Sequence, residues 1–368
     1  MTGTVHSPVS QIGPADVDAL VMGADFFGTS IAGSGMDDFR AWAFEVLERC
    51  GPVPVVPADR LPPDTLCAAV GIAGSVTAMI ELPPSGDEPM TVVKTLEKHM
   101  GRPVGAVMPM NAATINGIFP VIAAAELGIP VVDCDGMGRI FPLITQTSYV
   151  LAGLPLTPLA ATSAVHDVVS MDATAERAER LVRAMLHSAG GWMLLGLYPT
   201  EAANLVTGGI AGSVSRVVQV GRLLNEATSH DAIVHGLRDA IGASLLGSGR
   251  VVELGPSGRR GPVIQPANPT TVVVREDSPR DRVIRLEAQN ELLLAVIDGV
   301  LTTAVPDLLC LLDRNSLRMK GLERIVLGDE LDVLVVPAAP VWHSAAGLAL
   351  GGPKAFGLPV GHPKEGSR

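Results

Sequence analysis

The stretch PVVDCDGMGRIF, residues Pro130–Phe141, decides how this chain is read. Ile129, Val131 and Val132 make a short apolar run, the mark of a strand buried within a sheet. The run ends in two acids one residue apart, Asp133 and Asp135, followed by Gly136, Met137, Gly138 and Arg139. Residues i and i+2 of a strand share a face, so both carboxylates are expected on one side of the strand's carboxyl end. In open α/β sheets that end is where ligands bind. Gly136 and Gly138 let the backbone approach a bound molecule, and Arg139 adds a permanent charge with a bidentate fork. The plainer alternative is a strand-to-loop turn with solvated acids. Two acids, two glycines and an arginine within seven residues exceed what a turn needs, which favours a site.

The flanking sequence sets this strand in an α/β pattern. On the amino-terminal side, Pro14–Met22 opens like a helix, Gly23–Gly35 is a Gly/Ser-rich loop, and Asp37–Cys50 is amphipathic. Strands are predicted at Pro52–Val56, Leu66–Ile72 and Val104–Met108, with helices at Asp87–Met100 and Pro120–Leu127. Strands alternating with helices imply a βαβ-type sheet. If the strands ending near residues 72, 108 and 133 are parallel neighbours, the loops that follow them converge on one edge. Further helices are predicted at Ala173–His187 and Ser213–Asn225. From about Ser248 the character changes: Val251–Glu253, Thr271–Glu276, Val283–Glu287, Leu292–Thr303 and Leu331–Val336 are β-rich runs between Gly/Pro/Asp turns. The expected organisation is an α/β N-terminal domain over 1–245 carrying the site. A β-rich C-terminal domain over 246–368 follows, its last segment folding back.

Composition narrows the function classes. The 368 residues are 47% hydrophobic, 18% charged and only 3% aromatic, so the core is built from aliphatic side chains and disorder is not expected. A net charge of −11 argues against nucleic acid as a partner. Mean hydropathy is +0.36, yet Leu292–Leu312, the most apolar stretch, is broken by Asp298, Pro306 and Asp307, so no membrane span is expected. Met1–Gly13 lacks a signal-peptide pattern. The four scattered cysteines show no CxxC spacing, and a reduced, cytoplasmic setting is the economical reading.

Other residues have chemistry to offer, each beside a plainer role. Asn111, Thr114 and Asn116 in the loop Pro109–Gly117 could read the edge of an amide or urea, since an Asn amide both donates and accepts; they are also ordinary loop residues. The Gly23–Gly35 loop could cradle an anion but matches no nucleotide fingerprint. His166, beside Asp167, could be a base or ligand, or neither. Tyr198 could donate to an oxyanion or simply satisfy itself. Arg216 could sit near an anion at a helix start or lie on the surface. No HExxH, GxSxG or spaced Ser/His/Asp set is present.

Several segments, in order, resemble one family: VGIAGSVTAMIELPPSGDE, LGIPVVDCDGMGRIFP, GLYPTEAANLV with GSVSRVVQVGRLL, the QNE of 289–291, VPDLLCLLD and GGPKAFG. Together they are similar to the S-methylthiohydantoin desulfurase, or hydantoinase-like, family from about residue 16 to 360. The resemblance implies two domains and attack on C2 of a five-membered cyclic urea or thiourea, with metal dependence described for at least one relative. Asp133, Asp135, Gly136, Gly138 and Arg139 match the family's pattern. Three places depart from it. GTSIAGSGMDD replaces a glycine run ending in Asp-Pro, Asn111 stands where a glutamate is usual, and Leu143 replaces a second carboxylate. Without those acids a metal site is weakened, so no metal or other cofactor is expected.

The leading expectation is an enzyme, hydrolase, lyase or cyclase, cleaving or forming a C–N or C–S bond of a small hydantoin-like ring. Asp135 would be the acid–base group, Asp133 would orient, and Arg139 would hold a carboxylate or oxyanion. Asn111, Thr114, Asn116, Ser75, Gly136 and Gly138 would bind substrate, with His166 and Tyr198 as further candidates. The rival is a non-catalytic paralogue serving as a binding or partner subunit. A homo-oligomer, with or without a related family subunit, is expected.

Overall fold

The computed structural model describes residues 8–28, 36–255, 271–289 and 291–363. Eight strands form the first sheet. Their spatial order is Gln11–Ile12 (β1), Val53–Val56 (β2), Val131–Val132 (β5), Ala106–Pro109 (β4), Leu66–Gly74 (β3), Trp192–Glu201 (β9), Leu159–Thr162 (β7) and Val168–Met171 (β8). The pairs β2–β5, β5–β4 and β4–β3 are parallel. The remaining pairs are antiparallel. The α/β half therefore holds a parallel centre extended by antiparallel strands. A two-stranded ribbon, Cys134–Asp135 (β6) with Ile210–Ala211 (β10), stands apart from it.

The second sheet is wholly antiparallel. Its order is Val300–Ala304 (β15), Leu292–Ile297 (β14), Val283–Ala288 (β13), Thr271–Glu276 (β12), Ser244–Gly255 (β11), Glu330–Val336 (β18), Leu308–Asp313 (β16) and Arg318–Met319 (β17). The single predicted run Leu292–Thr303 is a hairpin, turning at Asp298-Gly299 with both residues at positive φ, as a tight hairpin turn requires.

Strand β16 shows how this sheet is covered. Leu308, Cys310 and Leu312 join the core shared with the first half, while Leu309 and Leu311 join a separate core of Val272, Val274, Ile284 and Val333. The two-residue period of a strand thus sends LLCLL into apolar packing on both faces. The segment after β18 returns to the first half. Trp342 Nε1 donates to the Met137 carbonyl at 2.9 Å, and Gln146 Nε2 donates to Leu350 O at 2.9 Å. Among the described residues no helix is long and apolar enough to cross a membrane.

The expected loop Gly23–Gly35 is corrected in its first part. Gly23–Phe27 is the end of a helix, Val17–Phe27, and residues 29–35 lie outside the described ones. The reason is packing. A Cβ on Gly23 would stand 1.8 Å from Val217 O, and one on Gly221 would stand 1.7 Å from Ala19 O. Two glycines therefore let helix Val17–Phe27 and helix Ser213–Glu226 cross with their backbones touching. Each side chain added there must push the helices apart. Gly221→Ala is expected to lower stability by about 1–3 kcal/mol or more, as overpacking does. A denaturation midpoint equal to the parent's would show that the helices are not in this contact.

Candidate active site at the junction of the two sheets

The loops after β3, β4 and β5 do converge, and backbone hydrogen bonds hold them together. Met110 N donates to Val70 O at 3.2 Å, and Gly136 N donates to Met110 O at 3.1 Å. Ile72 N donates to Asn116 Oδ1 at 2.6 Å. Asp133 and Asp135 sit at this meeting point, both buried. They are not same-face residues of one strand, because Asp133 lies in the bend after β5 and Asp135 in β6 of the separate ribbon; both reach the first turn of helix Ser213–Glu226. Asp133 accepts from Ser215 N at 2.9 Å and Ser215 Oγ at 2.6 Å. Asp135 Oδ2 accepts from Ala112 N at 2.8 Å, and both its oxygens accept from Gly138 N at 2.9 and 3.1 Å. Ser213 Oγ is 2.9 Å from Asp135 Oδ1 and 2.5 Å from Ile210 O, sharing its one proton between them.

Burial raises the pKa of Asp135, opposed by the Ala112 amide, the charge of Arg216, the Ser213 hydroxyl and the Gly138 amide. The solvated-turn alternative fails, because neither acid is exposed. Both carboxylates are also engaged by main-chain and serine donors, which is the geometry of groups that hold loops in place.

Arg139 is buried as well. Its Nη1 donates to Pro306 O at 2.9 Å and Asp307 O at 2.7 Å, its Nε donates to Ile140 O at 3.1 Å, and the guanidinium lies 5.0 Å from the Phe141 ring centre. Pro306 and Asp307 lead into β16, so Arg139 joins the DGMGR loop to the second sheet. Gly138, at φ +69°, approaches Arg216: a Cβ there would meet Nη2 at 3.4 Å. Gly136 has no room for a Cβ beside the Tyr149 ring, at 2.6 Å.

The other residues singled out by sequence are placed less centrally. Asn111 Nδ2 is 3.5 Å from Met137 Sδ, and its Oδ1 accepts from Ala113 N at 3.3 Å. Thr114 is buried, at φ +48°, against Gly28. Asn116 is occupied by Ile72 of β3, so these polar atoms serve to tie the loop to its neighbours. Ser75 is exposed and caps helix Val76–Glu81, its N–H donating to Gly191 O at 3.0 Å. His166 is exposed at the β7–β8 turn, 3.6 Å from Asp87. Tyr198 donates to Ile144 O at 2.6 Å and accepts from Thr147 at 3.0 Å. His166 and Tyr198 are not brought to the loop cluster by any of these contacts.

Residues that the sequence did not assign to the site complete the junction. Arg216, read as an exposed arginine or an anion-binding one, lies over the Phe27 ring at 5.1 Å. Its Nε is buried with no hydrogen-bond partner. Beside it is a narrow gap lined by Phe27, Met137, Gly138, Arg139, Pro306 and Ala338, about 10 Å³ in volume, room for roughly one water. Glu291 is buried, and burial pushes its pKa up to about 7 although Arg139 pulls it down. Asp307 meets His343 and His362. Burial would raise the pKa of Asp307, but hydrogen bonds from His362 and Ala338 and the nearby histidines hold it at about 2. The QNE triplet was a signal for Glu291; nothing local pointed to the two histidines.

Burial pushes the thiols of Cys67 (to about 12), Cys134 and Cys310 upward, so none of these is poised as a thiolate nucleophile. A wider groove of about 670 Å³ lies between Phe39, Trp42, Met79 and Pro83. Apart from the acids Asp38, Glu45, Asp87 and Glu126 its lining is largely apolar, and it carries none of the candidate site residues, so the tighter junction is the better candidate for chemistry.

Asp135→Asn keeps the shape and loses acceptor capacity toward Ala112 and Gly138. It is expected to lower stability by about 1–3 kcal/mol, seen as a reduced Tm. An unchanged Tm with turnover down ~10²-fold or more would mark Asp135 as an acid–base group instead.

Two family models match adjoining parts of the chain and meet at residue 173, ahead of strand β9 of the first sheet rather than at the start of the second sheet. The model of the S-Me-THD-like N-terminal domain matches residues 15–173, and that of the S-Me-THD-like C-terminal domain matches 173–363. No curated protein matches. A crystal structure of a protein from Chromobacterium violaceum superposes with a TM-score of 0.75 at 22% identity, covering 95% of this chain and 96% of that one. At that identity the likeness speaks for the fold. Since the two family models together span the chain from residue 15 to residue 363, it belongs to the S-methylthiohydantoin desulfurase-like family.

Proposed function

We propose that this chain is an enzyme acting on a small cyclic amide, urea or thiohydantoin-like ring. It would cleave or form a C–N or C–S bond at the junction of the two sheets. Family membership supports the substrate class. The observation that carries the placement is Arg216: an enclosed guanidinium with an unpartnered Nε, facing a gap walled by the DGMGR loop and the start of β16. Such a group favours an anionic atom, and addition to C2 of a hydantoin-like ring puts negative charge on the exocyclic oxygen or sulfur. The gap must widen to admit a ring.

Glu291 fits the acid–base role better than Asp135. A carboxyl titrating near neutrality holds or gives a proton with little bias, whereas Asp135 is bound by two backbone amides. In this reading Asp133 and Asp135 are positioning groups: they fix helix Ser213–Glu226, and so aim Arg216. Arg139 keeps the two sheets in register and tempers Glu291. No step needs a cysteine.

The test uses purified full chain with hydantoin, 2-thiohydantoin and S-methylthiohydantoin, following ring opening and thiol release. Turnover on at least one ring is expected, with Arg216→Gln lowering kcat/KM by ~10²-fold or more at unchanged fold. Absence of turnover and of binding across the panel would contradict the proposal.

Glu291 also makes a stability prediction. Its pKa is raised in the fold, so its stabilising contribution is complete below the unfolded value of about 4.5 and is lost as pH rises toward about 7. Glu291→Gln removes that dependence. Relative to the parent, the variant is expected to gain up to ~3 kcal/mol between pH 4.5 and pH 8. A difference in stability that stays flat with pH would show that Glu291 is not perturbed.

A further inference from the structure

Asp307, His343 and His362 come from three separate places: the turn before β16, the short helix Pro340–His343, and the returning tail. Asp307 Oδ1 is 2.9 Å from His343 Nε2, and Oδ2 is 3.3 Å from His362 Nε2. The three ligand atoms lie within 4.8 Å of one another. We propose that these three side chains form a divalent transition-metal site, occupied by zinc.

The donor set and its spacing both fit. Two imidazoles and one carboxylate suit zinc and its first-row neighbours, whereas magnesium and calcium ask for oxygen alone. Tetrahedral zinc with bonds of ~2.0–2.1 Å spaces its ligand atoms about 3.3 Å apart, close to the two nitrogen–oxygen separations seen. The acid is oriented from behind, as metal-bound carboxylates are: Ala338 N donates to Oδ1 at 3.0 Å, and Thr303 Oγ1 lies 3.5 Å from Oδ2. Asp307 is fully buried, while the His343 side chain is 28% exposed and that of His362 is 10% exposed. The ion is thus reachable from solvent on the histidine side. Three protein ligands leave a fourth position for water or substrate, the pattern of catalytic rather than structural zinc.

The family's usual acids at positions 111 and 143, whose loss led to the expectation of no metal, take no part. Arg139 holds the Asp307 carbonyl, so the ion would stand beside the junction without depending on the proposed reaction. The competing account is a metal-free His–Asp–His hydrogen-bond set that pins the tail to β16.

Zinc alone is the probe. Full-length protein is stripped with chelator and titrated with zinc by calorimetry and by competition with a chromophoric chelator, and cobalt(II) is added separately for its d–d absorption. About one zinc per chain is expected, with a raised Tm and cobalt bands of a low-coordinate nitrogen/oxygen site. His343→Ala and His362→Ala are each expected to weaken zinc binding by ~100-fold or more. Their metal-free circular dichroism should match that of the stripped parent. No uptake by the stripped parent at excess zinc, or undiminished uptake by the double histidine variant, would overturn the site and leave the hydrogen-bonded account.

Discussion

Two carboxylates taken out of water govern this structure. A buried charge is tolerated only when its lone pairs meet donors, and, the nearby Gly138 amide aside, Asp133 and Asp135 meet theirs on segments distant in sequence. Asp135 binds the amides of Ala112 and Gly138, and both acids bind the serines that open helix Ser213–Glu226. The helix N-terminus adds its own favourable field for negative charge. Arg216, on that same first turn, faces the acids and offsets their charge. The loops after β4 and β5 and the crossing of the two glycine-notched helices are consequently fixed together. A defect in any one of them is felt at Arg216.

The second constraint is the seam between the sheets. Arg139 spends two of its nitrogens on carbonyls, two of them belonging to the chain that enters β16. Trp342 ties the returning tail to Met137, and Phe141 packs on Trp342 at 4.6 Å between ring centres. The seam therefore places Glu291, Asp307 and the tail histidines near the loop that carries the acids. Each half alone would expose part of this chemistry without assembling it.

Much of this was legible in the chain. The apolar run ending in Asp133 and Asp135 announced a strand end, and the parallel order of β3, β4 and β5 made the loops meet. The β-rich second half declared itself through alternating runs and turn residues. Strand β9 did not: WMLLGLYPT is buried throughout, so it lacks the polar alternation that distinguishes a strand from a core helix. Gly23–Phe27 read as loop because glycine disfavours helices, while the actual requirement was a backbone contact with Val217. The acids were found but their partners were not, because donors at Ala112, Ser213 and Ser215 are set by tertiary pairing. Arg216 reads like a surface arginine until Phe27 and Gly138 are seen to enclose it. Asp307, His343 and His362 carry no shared spacing, since the turn before β16, a short helix and a tail bring them together.

The account's central claim is that the acid pair is a frame and that ligand binds in front of it, at Arg216 and Glu291. The most direct measurement is a crystal structure with a slowly turned-over hydantoin-like ring. The account predicts a ring between Gly138, Arg216 and Glu291, with Asp135 still bonded to Ala112 and Gly138. A ring hydrogen-bonded directly to the Asp135 carboxylate, or seated in the groove beside Trp42 and Met79, would contradict it.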